Sequence, residues 1–119
     1  MKFQAPGGKA DRLAQDQAQW SRVTDAARET AERFGYGRID TPLFEDARLF
    51  VRGIGEATDV VEKETYTFDD RGGDPPTLRA EGTAPVCRAS LEHGMHNLPP
   101  PVRLFYFCPV FRHADAHLD

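Results

Sequence analysis

The stretch Thr77-Leu78-Arg79-Ala80-Glu81-Gly82-Thr83-Ala84-Pro85 holds the residue types best suited to chemistry in this sequence. It reads as a strand that ends and a helix that begins. The turn between them carries a carboxylate at Glu81, a glycine at Gly82 and a hydroxyl at Thr83. A carboxylate holds a cation. A hydroxyl both donates and accepts hydrogen bonds. A glycine, lacking Cβ, lets a backbone approach a ligand closely. Together they suit a small ligand with an ammonium group, such as a free amino acid. The same residues also suit a plain helix start, with Thr83 as N-cap and Pro85 in the first turn.

A second candidate is Arg112, which follows the apolar run Val102-Arg103-Leu104-Phe105-Tyr106-Phe107-Cys108-Pro109-Val110-Phe111. At the end of a buried strand, its planar fork of donors suits a phosphate or a carboxylate. An arginine that merely closes a strand in solvent explains the position equally well. His93 and His96, and His113 and His117, have spacings that metal ligands use, but neither pair has a third ligand in view, so no metal site is assigned. Phe105, Tyr106 and Phe107 are read as core rather than as a base-stacking platform.

The elements that must position these groups follow from periodicity. Residues 1–12 read as an irregular arm. Trp20, Val23, Ala27, Ala31 and Phe34 recur at spacings of three and four, which predicts an amphipathic helix over 13–34 lying on a core, stopped at Gly35. Residues 36–43 read as extended, with Pro42 confining them to an edge. A short helix is expected over 45–50 and another short turn over 57–61. Residues 64–68 favour a strand, 69–76 a turn, and 77–80 the returning strand of a hairpin, which puts Arg79 and Glu81 on one face. A second helix spans 83–94. The run 102–111 is predicted to be a central strand covered on both sides. The non-alternating order of helices and strands gives an α+β class with a mixed, mainly antiparallel sheet and flanking helices.

Composition narrows the possibilities. The 119 residues, 39% hydrophobic, make about one small domain, and the formal net charge of −4 argues against a generic nucleic-acid coat, which needs cations to neutralise phosphates. No apolar run approaches the length of a membrane span, and the first residues are not a signal peptide, so no membrane association is expected. Cys87 and Cys108 lack metal spacing and are read as two buried free thiols in a reducing cytoplasm.

Taken in order, these pieces resemble one family. A long helix precedes Gly-Tyr-Gly-Arg-Ile-Asp-Thr-Pro-Leu-Phe-Glu at 35–45. Thr58-Asp59-Val60-Val61 and Lys63-Glu64-Thr65-Tyr66-Thr67-Phe68 follow. Then come Leu78-Arg79-Ala80-Glu81-Gly82-Thr83-Ala84, Arg88-Ala89, Glu92-His93-Gly94, Pro101-Val102-Arg103 and Pro109-Val110-Phe111-Arg112. Over roughly 20–113 this is similar to the N-terminal part of the catalytic domain of histidyl-tRNA synthetases, which are class II aminoacyl-tRNA synthetases.

The resemblance implies a role for each matched position. The long helix and the segment with Pro42 resemble motif 1, the homodimer interface. Glu81, Gly82 and Thr83 resemble the segment that binds histidine, with Glu81 and Thr83 near its α-amino group. Phe111-Arg112 resembles the start of motif 2, whose arginine holds the ATP α-phosphate and the amino-acid carboxylate and serves catalysis. The implied substrates are histidine, ATP with Mg2+ and the histidine tRNA. The sequence departs from the family at Ala80, where the family has proline, at Ala114, where it has a glutamate that helps place ATP, and in the arm, where Gly8 and Asp11 fit its Arg-Gly-Thr-x-Asp pattern but Gly7 and Lys9 do not. Residues 114–119 diverge, and the remainder of motif 2, motif 3 and the anticodon-binding domain are not among these 119 residues. The chain is thus expected to be an N-terminal portion of a histidine–tRNA ligase, spanning 1–119 as one fragment and inactive alone. The alternatives are a non-catalytic, histidine-sensing regulatory subunit of a histidine-biosynthetic phosphoribosyltransferase, or an inactive truncated product.

Overall fold

The computed structural model describes residues 2–54, 64–69 and 72–113. They fall into two units, Met1–Gly37 and Arg38–Asp119. The first unit is the arm and one helix, α1 (Ala14–Arg33). The Asp16 carboxylate accepts the Leu13 N–H at 3.2 Å and so ties the start of α1. Gly35, at φ 81°, stops it, because a left-handed turn costs glycine nothing. The expected amphipathic helix is present, but α1 has no buried residue, and Trp20, Val23 and Phe34 are exposed. Periodicity marks a face able to be covered; it does not supply the cover.

The chain enters the second unit through β1 (Gly37–Arg38), which pairs with β4 (Leu104–Phe105); the Ile39 N–H donates to the Phe105 carbonyl at 3.0 Å. Residues 40–43 are irregular around an exposed Pro42, as a chain bend at an edge requires. β2 (Phe44–Asp46) then pairs antiparallel with β3 (Pro76–Leu78), matching Phe44 to Leu78, Glu45 to Thr77 and Asp46 to Pro76. On the other side of β3, Thr67 bridges Thr77, Phe68 N–H donates to the Pro76 carbonyl and Leu78 N–H to that of Tyr66. The pairing expected of the hairpin is present, but 64–68 is not a strand: Thr67 makes one isolated bridge, and β3 lies between it and β2. Thr77 is 1% exposed, its hydroxyl donating to the Tyr66 carbonyl at 3.0 Å.

Three expectations are corrected. The helix read over 45–50 begins later, as α2 (Ala47–Ile54), because residues 44–46 are drawn into the sheet and Asp46 instead accepts the Arg48 N–H at 2.9 Å at the helix start. The run 102–111 is a strand only at Leu104–Phe105. Its side chains are half-buried or exposed, since the described sheet flanks it on one edge only. The cysteines are not buried: Cys87 is exposed and Cys108 half-buried. The short turn expected over 57–61 and the divergent tail at 114–119 lie outside the described residues.

The second helix appears as α3 (Thr83–Glu92), stopped at Gly94 with φ 69°. It packs on α2, and the core gathers there: Phe50 and Ala80 are fully buried, Ala89 nearly so. Burying Phe50 contributes about 2–3 kcal/mol. The buried polar residues Glu45, Thr77 and Arg79 stand beside them.

Candidate functional site

The strand ends at Leu78, before either Arg79 or Glu81, so alternation does not put them on one face, and the two side chains go different ways. Arg79 turns inward and is 3% exposed. Its Nε donates to the Pro109 carbonyl at 2.8 Å, and its Nη1 reaches the Thr41 carbonyl at 2.9 Å and the Thr41 hydroxyl at 3.1 Å. Glu81, half-buried, curls over the start of α3. Its Oε2 accepts the Thr83 N–H at 2.6 Å and its Oε1 the Ala84 N–H at 2.8 Å. The N-cap position itself is Gly82, which has no side chain to offer. The cap is thus made by Glu81, where Thr83 was the local alternative. A carboxylate here also meets the positive end of the helix. Two N–H groups leave part of its acceptor capacity free for an ammonium.

Gly82 is buried, and its φ of −102° is open to any residue. What it needs is space: a Cβ there would collide with the ring of Tyr106. The Tyr106 hydroxyl lies 3.3 Å from that of Thr83. The glycine therefore seats an aromatic ring beside the carboxylate.

Arg112 comes to the same place. The Phe111 N–H donates to the Arg79 carbonyl at 2.9 Å, and Arg112 Nε donates to the Ala80 carbonyl at 2.9 Å. Among the described residues its two terminal nitrogens have no partner. Arg112, a separate candidate in the sequence, is thus tied to Ala80, the residue before the Glu81-Gly82-Thr83 turn. Pro42 lies elsewhere on the surface of the unit, linked to the site through its carbonyl, 3.4 Å from Arg79 Nη1. Among the described residues no group of three or more His, Cys, Asp or Glu side chains could hold a metal.

Four participants were not found from sequence. Tyr106 was assigned to the core because its run is apolar. Strand alternation put Arg79 on one face with Glu81, whereas it turns inward by itself. The pair Glu45–Arg88 is separated by 43 residues and has no local signal. Arg88, on α3, holds Glu45, on β2, with Nη2 2.7 Å from Oε1, and hydrogen bonding to that carboxylate raises the arginine's pKa. This pair fastens α3, and with it the Glu81 turn, to the sheet.

Comparison with known proteins identifies the family and the fold. Residues 8–119 match the histidyl-tRNA synthetase family model. The chain is 57% identical over 111 residues to the histidine–tRNA ligase of Dehalococcoides mccartyi strain BAV1, covering 93% of this chain and 27% of that protein. The apo histidyl-tRNA synthetase of S. aureus superposes with a TM-score of 0.78 at 36% identity, covering 93% of this chain and 30% of that one. An ATP phosphoribosyltransferase regulatory subunit/histidyl-tRNA synthetase from Bacillus halodurans superposes with a TM-score of 0.74 at 25% identity, over 92% and 28%. The fold is part of a class II aminoacyl-tRNA synthetase catalytic domain, of the mixed α+β class expected. The chain belongs to the histidyl-tRNA synthetase family, and it spans about a quarter of the length of the curated relatives it matches.

Proposed function

We propose that these residues form the N-terminal portion of the catalytic domain of a histidine–tRNA ligase, which activates histidine with ATP and passes it to the histidine tRNA. The observation that carries this reading is the joining of Glu81 to Arg112 through the Ala80 carbonyl, which Arg112 Nε binds at 2.9 Å. One carboxylate and one partly free guanidinium then stand on adjacent backbone. An amino acid presents the complementary pair, an ammonium for Glu81 and a carboxylate for Arg112. Thr83 adds a hydroxyl beside Glu81. Arg112 also serves the ATP α-phosphate and offsets the charge that builds as the adenylate forms. The described residues provide no metal-ligating cluster, so Mg2+ enters with the nucleotide.

Homodimerisation through α1 and the Pro42 segment belongs to the same reading, supported by the exposed apolar face of α1. So does a cytoplasmic location, in keeping with two free cysteines; among the described residues no helix is long and apolar enough to cross a membrane. A regulatory, histidine-sensing role has one feature in its favour, Ala114 in place of the family's glutamate. Glu81-Gly82-Thr83 and Phe111-Arg112 favour the ligase.

Two measurements test the proposal on the 119-residue chain. Calorimetry is expected to detect histidine binding, with weaker binding of histidinol, which lacks the carboxylate. Histidine-dependent ATP–pyrophosphate exchange by this chain alone is expected to stay at background, because the second ATP-binding arginine motif lies outside the sequence. Absence of histidine binding overturns the site; robust exchange overturns the division of labour.

A further inference from the structure

Arg79 is a nearly fully buried cation whose hydrogen-bond partners, among the described residues, include no carboxylate. They are the Pro109 carbonyl on one side and the Thr41–Pro42 segment on the other. A buried charge is costly, and neutral carbonyls repay it less well than an ion pair. Stability alone would be served better by an apolar residue of similar volume. What the guanidinium does supply is geometry: a rigid fork that reaches two separate segments at once.

The bonds around it have an order. Arg79 Nε binds the Pro109 carbonyl at 2.8 Å, the Arg79 carbonyl accepts the Phe111 N–H at 2.9 Å, and the Ala80 carbonyl accepts Arg112 Nε at 2.9 Å. Three bonds thus lace 79–80 to 109–112. The first is the only side-chain anchor that 79 sends across, and it is braced from behind by Thr41. Without it, the Pro109 carbonyl loses its donor, and the segment carrying Arg112 is held to 79–80 by the other two bonds alone.

We propose that Arg79 is a positioning residue that fixes the separation between Glu81 and Arg112, so that one amino acid can engage both. This rests on the amino-acid-site reading above. Arg79 touches no ligand; it acts through Pro109 and through its own carbonyl.

The test uses Arg79→Lys, which keeps the charge but loses the fork. Histidine needs both Glu81 and Arg112, whereas histidinol, without a carboxylate, needs Glu81 alone. Histidine affinity should therefore fall about tenfold in the variant while histidinol affinity changes by less than about twofold. Hydrogen exchange gives a ligand-free readout. The Phe111 amide should exchange about tenfold faster, while the His93 amide, bonded within α3 to the Ala89 carbonyl, is unchanged. Equal loss of both ligands, or no loss of either, overturns the proposal, as does a parallel rise in exchange at Phe111 and His93. If the parent binds neither ligand, the amino-acid-site reading fails, and the exchange comparison alone decides whether Arg79 holds the two segments. Should Arg79→Lys not fold, Thr41→Val removes the hydroxyl brace, leaves the arginine in place and is expected to give the same pattern at smaller amplitude.

Discussion

Arg88 and Glu45 make the tightest long-range ion pair among the described residues, with Nη2 2.7 Å from Oε1 and Nε 3.2 Å from both carboxylate oxygens. Glu45 keeps 6% of its side-chain surface and Arg88 30%. Removing the arginine strands a buried carboxylate, whereas removing the carboxylate leaves a cation that can still reach water and Glu92. Arg88→Met should therefore cost about 2–4 kcal/mol and Glu45→Gln less. Urea unfolding of both single variants and the double variant checks it, with a coupling of about 1–3 kcal/mol expected. Full additivity would show that the pair does not fasten α3 to the sheet.

Gly82→Ala is expected to push the Tyr106 ring out of its seat, because the new Cβ and the ring would occupy the same space. Overpacking of this kind costs about 1–3 kcal/mol. The companion change Tyr106→Ala should relieve most of it. If Gly82→Ala is as stable as the parent by thermal unfolding, the ring is not confined there.

How legible these features were depends on the range of the interactions. Both main helices came within a residue or two of their predicted ends, because Gly35 and Gly94 and a period near four are local signals. The start of α2 was misplaced because β3, thirty residues further on, captures 44–46. The apolarity of 102–111 told what those side chains can tolerate, not what covers them. Within the candidate site, Glu81, Thr83 and Arg112 stand out in the sequence by their chemistry. Arg79 does not share the expected face with Glu81, because alternation holds only while a strand continues, and this one ends at Leu78. Nothing local in the sequence links Glu45 to Arg88.

The pH dependence of stability should contain a contribution from Asp46. Hydrogen bonding to the Arg48 side chain, at 2.6 Å, and then to the Arg48 N–H lowers its pKa to about 2 from an ordinary 3.8. The folded state therefore releases its proton more readily than the unfolded state. The stabilisation is complete above the unfolded pKa of about 4 and fades as pH falls through about 2. The pair is exposed, so the effect should be small and weaken with salt. Comparing Asp46→Asn with the parent from about pH 6 down to about pH 2 checks it: the difference should shrink on acidification. A constant difference would assign the stabilisation to something other than this carboxylate.

The exposed stripe on α1 leads to an association prediction. Trp20, Val23 and Phe34 remain 45%, 65% and 69% exposed, a contiguous apolar face of the kind that marks an interaction site. Sedimentation at micromolar concentration should show self-association. Val23→Glu should reduce it without changing helix content, since the residue is not buried. A parent chain that sediments as a clean monomer would remove α1 as an interface.

Glu81 should show two separable effects, because it caps α3 and, in the proposed site, meets the ammonium of the amino acid. As a cap it serves two N–H groups with two oxygens, at 2.6 Å and 2.8 Å. Glu81→Gln keeps one good acceptor and loses the charge, so it should destabilise the chain by about 0.5–1 kcal/mol. As a ligand group it loses a charge-assisted bond to an ammonium, about 1.5–3 kcal/mol, which is about ten- to a hundredfold in histidine affinity. Thr83→Val gives up only a neutral hydroxyl, 3.3 Å from Tyr106, and should cost less on both measures. Arg112→Ala should leave the cap intact and weaken histidine far more than histidinol. Calorimetry alongside thermal unfolding separates the two roles. If Glu81→Gln lowers stability but binds histidine as well as the parent does, Glu81 is a helix cap alone and the amino-acid site has lost its ammonium partner.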